Sequence, residues 1–474
     1  MENDIVVEST ERFKKVVLTS PQLVETLPVL SWPAENASDL KVSDYETLLT
    51  PMGGVYVENL PKITIILNPD GSIWMHGSLY LLSRALDYKS IEPEAIDSIA
   101  RDLVAFRNTL LAHGLDYQVF PINLLKRPTY AYSSILNEKV KQKPSSSVEK
   151  RELSSMRGFY RWMKRNDPSF RPEYPMWVDE VKHVSFEDSD GNTIWKEVIT
   201  SDLSIKHAAQ DDLESIDDGG KLRPLRADEL EQVLRALCEE GNTEMMLIFA
   251  IALTSGARIQ TVLTLRIGDI CTREHQPDRL IATKCGGGRR VKTKNNKALT
   301  IFIPYWVHKK LSIYIKSQRY LDRLSRSGYA ANDESYVFLT SAAKPYYMAR
   351  SDPNYALTPK TINGGAVRTF LSRLKRKMLI EHGQYVDFRF HDLRATFGMN
   401  LFNELMQQVN SGKRSLSSTL NYLRKRMSHS SLETTMRYFR YYEDVDVAYE
   451  AQASFEKKIA DLMHGAEQGI DRAA

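Results

Sequence analysis

Leu393, Phe397, Leu401 and Leu405 recur at every fourth position, which predicts a helix with one buried stripe. His391 and Arg394 lie three apart and off that stripe, so both can face one cavity. Leu432, Met436 and Phe439 predict a shorter helix, opened by Ser430 and Glu433 at capping-box spacing, with Tyr438 on another face. Ile96–Leu111 has helical spacing and a stop at Gly114. Val148, Leu153, Met156, Tyr160 and Met163 mark a further helix behind a second capping box, Ser146 with Glu149. Glu244–Thr254 is almost wholly apolar and predicts a helix buried all round. Tyr305–Leu324 and Thr361–Leu379 read as helices as well. Strand signals are fewer. Ile63–Leu67 and Ser72–Met75 flank an Asn-Pro-Asp-Gly turn and predict a hairpin. Arg279–Thr283, Arg289–Lys294 and Ala298–Ile303, parted by Gly286-Gly287-Gly288 and Asn295-Asn296, predict three antiparallel strands. The expected fold is mainly α, with a small antiparallel β-sheet in the C-terminal half.

At 474 residues the chain is too long for one ordinary core. Residues 1–75 read as an extension with a hairpin or arm, 76–210 as a helical domain, and 222–474 as a second domain. Between them Asp211–Lys221, polar, acidic and glycine-containing, reads as a linker. The longest apolar run, Met245–Leu253, is too short to span a bilayer, so no membrane partner is expected. The acidic N-terminus lacks a signal-peptide pattern, and three scattered cysteines fit a reducing cytoplasm. The net charge of +4 announces no partner by itself. Its distribution says more, because basic clusters at Lys284–Lys297, Arg368–Lys377 and Lys413–Arg426 fit contact with nucleic acid.

Taken singly, the candidate residues have plain structural accounts. Arg258 follows a buried helix and a glycine turn, where a core ion pair would explain it. Lys292 and Lys294 alternate along a strand, where lysine commonly protects an edge. Arg157 and Arg161 decorate an aromatic, basic helix that could lie against a phosphate backbone or simply face water. Their order is more specific: an arginine, a lysine on a hairpin, His-x-x-Arg, a histidine and a tyrosine nine positions later. Cations gathered near a phenol suit phosphodiester cleavage, in which a charged oxygen must be held while the phenol attacks.

At these residues the chain resembles the tyrosine recombinase (phage integrase) family. TSGARIQTVLTLR is similar to the family's first-arginine segment, HDLRATFG to its HxLR box, and MSHSSLETTMRYF to the box ending in the nucleophile. The catalytic resemblance covers residues 222–445, and Asn137–Arg165 resembles the last helices of a helical, SAM-like core-binding domain. The resemblance implies that Arg258 and Arg394 hold the scissile phosphate, with His391 as acid/base and His429 as hydrogen-bond donor. Tyr438 would form a 3′-phosphotyrosyl link, and Lys294 would protonate the leaving oxygen, with Lys292 and Lys297 as alternatives. Lys292, Arg157 and Arg161 would contact DNA. It further implies metal-free chemistry without a cofactor, double-stranded DNA as partner, and a homo-tetramer on synapsed sites. A tail helix over Val445–Met463 and accessory directionality proteins complete the expectation. The chain departs from the family pattern at three places: Thr261 in place of an acidic residue, Ser428 in place of glycine, and Thr396-Phe397-Gly398. A DNA-relaxing type IB topoisomerase and a non-catalytic DNA-binding protein are the rival readings.

Overall fold

The structure, a computed structural model, describes residues 12–19, 22–24, 57–59, 62–86, 93–141, 146–187, 193–205, 215–270, 274–276, 278–355, 357–358 and 361–444. They form two compact units, one drawn from residues 1–186, 193–209 and 353–361, the other from 187–192, 210–352 and 362–474. The architecture is mostly helical with small antiparallel sheets. No helix among the described residues is long and apolar enough to cross a membrane.

In the first unit, β1 (Lys14–Thr19) pairs with β4 (Lys62–Leu67), and β2 (Gln22–Val24) with β3 (Val57–Asn59). The Asn68–Gly71 turn forms, with the Gly71 N–H donating to the Asn68 carbonyl at 3.0 Å. The strand expected beyond it does not. Leu67 makes one bridge to Ile73 before α1 (Met75–Leu86) begins, while residues 14–19 take the long edge of β4. Pairing along the whole of β4 satisfies more backbone than a short return strand could. Helices α2 (Pro93–Ala112), α3 (Pro128–Lys141) and α4 (Ser147–Asn166) close on Leu103, Phe106, Tyr132, Met156 and Tyr160. Ser146 precedes α4 without a side-chain cap, so the capping box expected there is absent. Nor is the stretch 76–210 helical throughout, since β5 (Asp179–Glu187) and β6 (Thr193–Ser201) pair as a two-stranded sheet. Their Val, Ile, Thr and Trp content favours strands.

The second unit opens with β7 (Ile216–Asp217) and β8 (Lys221–Leu222), a short hairpin inside the stretch read as a linker. Helices α5 (Ala227–Glu239), α6 (Thr243–Ser255) and α7 (Ile259–Leu263) follow. The sheet has two strands, not three: β9 (Leu280–Cys285) pairs directly with β10 (Leu299–Pro304). Positive φ at Gly286, Gly287, Gly288, Asn295 and Asn296 bends the intervening residues into a loop, and Val291 is buried within it. The helix expected over Tyr305–Leu324 is broken into α8 (Tyr305–Ile315) and α9 (Gln318–Ser327), with Ser317 capping the second. After α10 (Gly365–His382) come α11 (Asp392–Asn410), α12 (Leu416–Met427) and a helix over residues 432–444, here α13. The tail helix expected over Val445–Met463 lies outside the described residues.

α6 is buried on one side only. Met246 is 37% exposed and, with Leu234, Ala250, Leu253, Trp306 and Ile313, lines an apolar groove, so the expectation of burial all round fails on that face. The first turn of α6 carries Glu244, wholly buried, whose carboxylate accepts from Arg319 at 2.8 Å on each oxygen and from Arg323 at 2.6 Å. The Tyr314 hydroxyl donates to it at 3.3 Å. This network ties α6 to α8 and α9.

Candidate active site

Two helix ends set the deepest cation. α6 ends at Gly256 in the left-handed region (φ 66°), and α12 ends at Ser428 in the same region (φ 54°). Arg394, in the first turn of α11 and 4% exposed, donates to the Gly256 carbonyl at 2.7 Å and to the Met427 carbonyl at 2.6 Å. The negative ends of two helices thus hold one guanidinium. The departure at Ser428 keeps the backbone that glycine would supply, and turns His429 inward with its N–H on the Arg424 carbonyl at 3.0 Å. Arg258 leads into α7 two residues after the Gly256 turn.

α13 lies with Tyr438 facing inward. Leu432, Met436 and Phe439 were the expected buried face, yet they are only partly covered while Tyr438 is wholly buried. Room for its ring comes from Gly398, where a Cβ would lie 2.5 Å from the Tyr438 Cε1. That is a physical reason for glycine at the end of the HDLRATFG segment. The cap of α13 is Ser431, whose Oγ accepts from the Thr434 N–H at 3.4 Å, one position later than expected. Glu433 instead binds Arg437 at 2.7 Å.

At the centre stands a carboxylate that the sequence reading placed in a linker. Asp218 Oδ2 accepts from Arg394 Nε at 2.7 Å, His429 Nε2 at 3.2 Å and the Tyr438 hydroxyl at 3.1 Å. Its Oδ1 accepts from Arg258 at 3.3 Å. The carboxyl is 3% exposed. Burial would raise its pKa, but the His429 hydrogen bond and the charges of Arg394, His429 and Arg258 outweigh this and hold it far below the usual range. A carboxylate only accepts, so His429 Nε2 carries the hydrogen, and in the neutral ring Nδ1 accepts from the Thr435 hydroxyl at 2.9 Å. Thr435 is a positioning residue that sequence spacing did not single out, its only signal being its place three before Tyr438. The Tyr438 pKa is pushed well up, first by burial and then by Asp218. His391 precedes α11 and is held down to about 4 by burial and by the charges of Arg394 and Arg258.

Lys294 stands at the rim. A methyl on Gly219 would lie 3.2 Å from its Nζ and 3.9 Å from an Arg258 nitrogen. Of the alternatives, Lys292 sits 5.5 Å from the Tyr347 ring centroid, and Lys297 Nζ donates at 3.4 Å to the carbonyl of Ser428, the residue before His429. Since residues 289–294 form no strand, Lys292 and Lys294 do not share a sheet face. Thr261, where the family pattern has an acidic residue, spends its hydroxyl on the Lys292 carbonyl at 3.0 Å. Arg157 and Arg161 belong to the first unit, where they line a hollow of about 1080 Å³ with Arg84, Arg151 and Arg165.

The geometry suits a monoanion held by two guanidiniums and an imidazole against a phenol. The model of the phage integrase family matches residues 223–444, which take in Arg258, Lys294, His391, Arg394, His429 and Tyr438. Among curated proteins none matches the chain. Among solved structures, XerH site-specific recombinase bound to palindromic difH substrate is similar at 14% identity, over 76% of this chain and 80% of that one, with a TM-score of 0.45. The Tn1549 transposon integrase in complex with a circular intermediate DNA is similar at 14% identity, over 77% and 94%, with a TM-score of 0.44. A lambda integrase dimer bound to a core site is similar at 12% identity, over 77% and 94%, with a TM-score of 0.42. Residues 223–444, a little under half of the chain, thus match the phage integrase family.

Proposed function

We propose that Tyr438 attacks a phosphodiester of double-stranded DNA held by Arg258 and Arg394, leaving a 3′-phosphotyrosyl intermediate and a free 5′-hydroxyl. The observation that carries this is the meeting of Arg258, Arg394, His429 and Tyr438 on one buried anion. Two guanidiniums complement the charge that builds on the phosphoryl oxygens, and His429 adds a third donor whose ring Thr435 fixes. His391, with a pKa near 4, is uncharged at neutral pH and suited to take the phenolic proton. Lys294, at the rim beside Arg258, gives a proton to the departing 5′-oxygen. The new bond to tyrosine replaces the broken one, so the reverse attack by a 5′-hydroxyl rejoins DNA without hydrolysis of a nucleotide.

The arginine-lined hollow of the first unit is suited to the duplex backbone, with Arg157 and Arg161 on phosphates. The reading extends to a homo-tetramer on two synapsed sites and to integration, excision or transposition of a mobile element. Incubating the protein with a pool of duplex fragments, denaturing, and sequencing the covalently held ends tests the chemistry and identifies the site together. Tyr438→Phe is expected to bind duplex and yield no denaturant-resistant adduct. An undiminished adduct from that variant moves the nucleophile elsewhere.

A further inference from the structure

We infer that the Asp218 hairpin is a built-in occupant of the phosphate clamp, an autoinhibitory contact that must leave before a DNA phosphate can enter. This rests on the clamp reading above. A carboxylate and a phosphodiester are both monoanions that offer two charged oxygens, and Asp218 takes the donors that would serve the phosphate. Arg258 meets one oxygen, while Arg394, His429 and Tyr438 meet the other. With those four groups on one 3%-exposed carboxyl, a second anion has neither room nor donors there. Binding of the two is exclusive.

The contact is constructed, not incidental. Gly219 and Gly220 have φ of 74° and 143°, which lets the two-residue strands turn sharply enough to aim Asp218 inward. Ile216, 1% exposed, packs in the cluster that contains Phe397, Met427 and Tyr438. Arg437, next to the nucleophile on α13, donates to the Asp217 carbonyl at 2.9 Å and pairs with its carboxylate at 3.3 Å. On the other side Arg389 donates to the Lys221 carbonyl, and the N–H groups of Arg223 and Leu225 bind Asp392 and Thr396 of α11 at 3.2 and 2.9 Å. Gly219 at the turn lies beside the exposed Lys294. One hairpin therefore occupies the clamp, borders the rim lysine and grips the tyrosine helix. Its release would free the clamp and the tyrosine helix together.

The test uses the full chain and inorganic phosphate as probe. By calorimetry, Asp218→Asn should bind phosphate about tenfold or more tightly than wild type, because the fraction of molecules with an open clamp rises. Adding Arg394→Ala to Asp218→Asn should abolish that gain. In wild type, hydrogen exchange should show amides of residues 216–222 losing protection as phosphate saturates the protein. Equal or weaker phosphate binding by folded Asp218→Asn would overturn the inference and make Asp218 a support for the arginines. So would hairpin protection that persists in phosphate-saturated wild type. If the gain survives Arg394→Ala, the clamp reading itself fails. If Asp218→Asn shows no gain while Arg394→Ala weakens wild-type binding, the clamp stands and the autoinhibitory contact falls.

Discussion

Two buried carboxylates in the second unit have nearly the same company. Glu244 is met by Arg319, Arg323 and Tyr314, and Asp218 by Arg258, Arg394, His429 and Tyr438. What separates them is how each carboxylate is carried. Glu244 sits in the first turn of α6, so its place is fixed by a regular helix through the core, and its near-neighbour arginines come from one further helix, α9. Asp218 rides on a turn between two-residue strands. Its deepest cation, by contrast, is fixed without it, since Arg394 also holds the carbonyls of Gly256 and Met427. A carboxylate built into the frame makes a structural ion cluster. A carboxylate on a turn, facing a guanidinium that backbone carbonyls hold independently, has the makings of a binding site. The histidines sharpen the contrast, because the Glu244 cluster holds none, whereas His429 points at Asp218 and His391 stands within reach of the same charges.

Removing a cation separates the two most strongly. Arg394→Ala should slow adduct formation by about two to three orders of magnitude, comparable to loss of an oxyanion donor. Arg319→Ala, on the other cluster, should leave that rate within about twofold. Equal losses in a single-turnover assay would erase the distinction.

Removing the carboxylate should reverse the ranking. Glu244→Gln leaves Arg323, whose side chain is 10% exposed, facing a neutral amide and should cost about 3 kcal/mol of stability in urea unfolding. Asp218→Asn should cost clearly less, because the hairpin can turn outward and Arg394 keeps the carbonyls of Gly256 and Met427. A larger loss for Asp218→Asn would mean that its hairpin belongs to the frame.

Acid offers a third separation. His391 and His308 are both held at about 4 and His429 is lowered too, burial being the first cause in each. Their unfolded value is 6.5, so between 6.5 and 4 the unfolded chain binds more protons, and stability falls as pH drops through that window. The urea midpoint should therefore be lower at pH 5 than at pH 7, and His391→Asn should flatten that slope. A slope unchanged in the variant would place His391 in water.

The smallest effect tests the turn behind the clamp. Ser428→Gly relieves a non-glycine residue at φ 54° and should stabilise the protein by about 1 kcal/mol without slowing cleavage. Destabilisation would show that the Ser428 side chain contributes a contact of its own.

Some of this was written locally. The fourfold recurrence from Leu393 to Leu405 gave α11, and the short motifs marked Arg258, His391, Arg394, His429 and Tyr438, because helix period and turn chemistry act over a few residues. Element boundaries set by tertiary partners were not legible. β4 found its strand among residues 14–19, and residues 289–294 lost theirs to the direct pairing of β9 with β10. Tyr438 was expected on a face other than that of Leu432, Met436 and Phe439; it proves the more deeply buried of the two, because the space that receives it is left by Gly398, forty positions away in the chain.

The sequence by itself determined the order of the candidate groups along the chain, since each is carried by a short segment whose conformation is a local matter. Only the tertiary structure decided what stands among them. An aspartate in an acidic, glycine-rich run looks like solvated linker, and nothing within reach along the chain says otherwise. Its partners lie 40 to 220 residues further on, at Arg258, Arg394, His429 and Tyr438, and only packing brings their charges together.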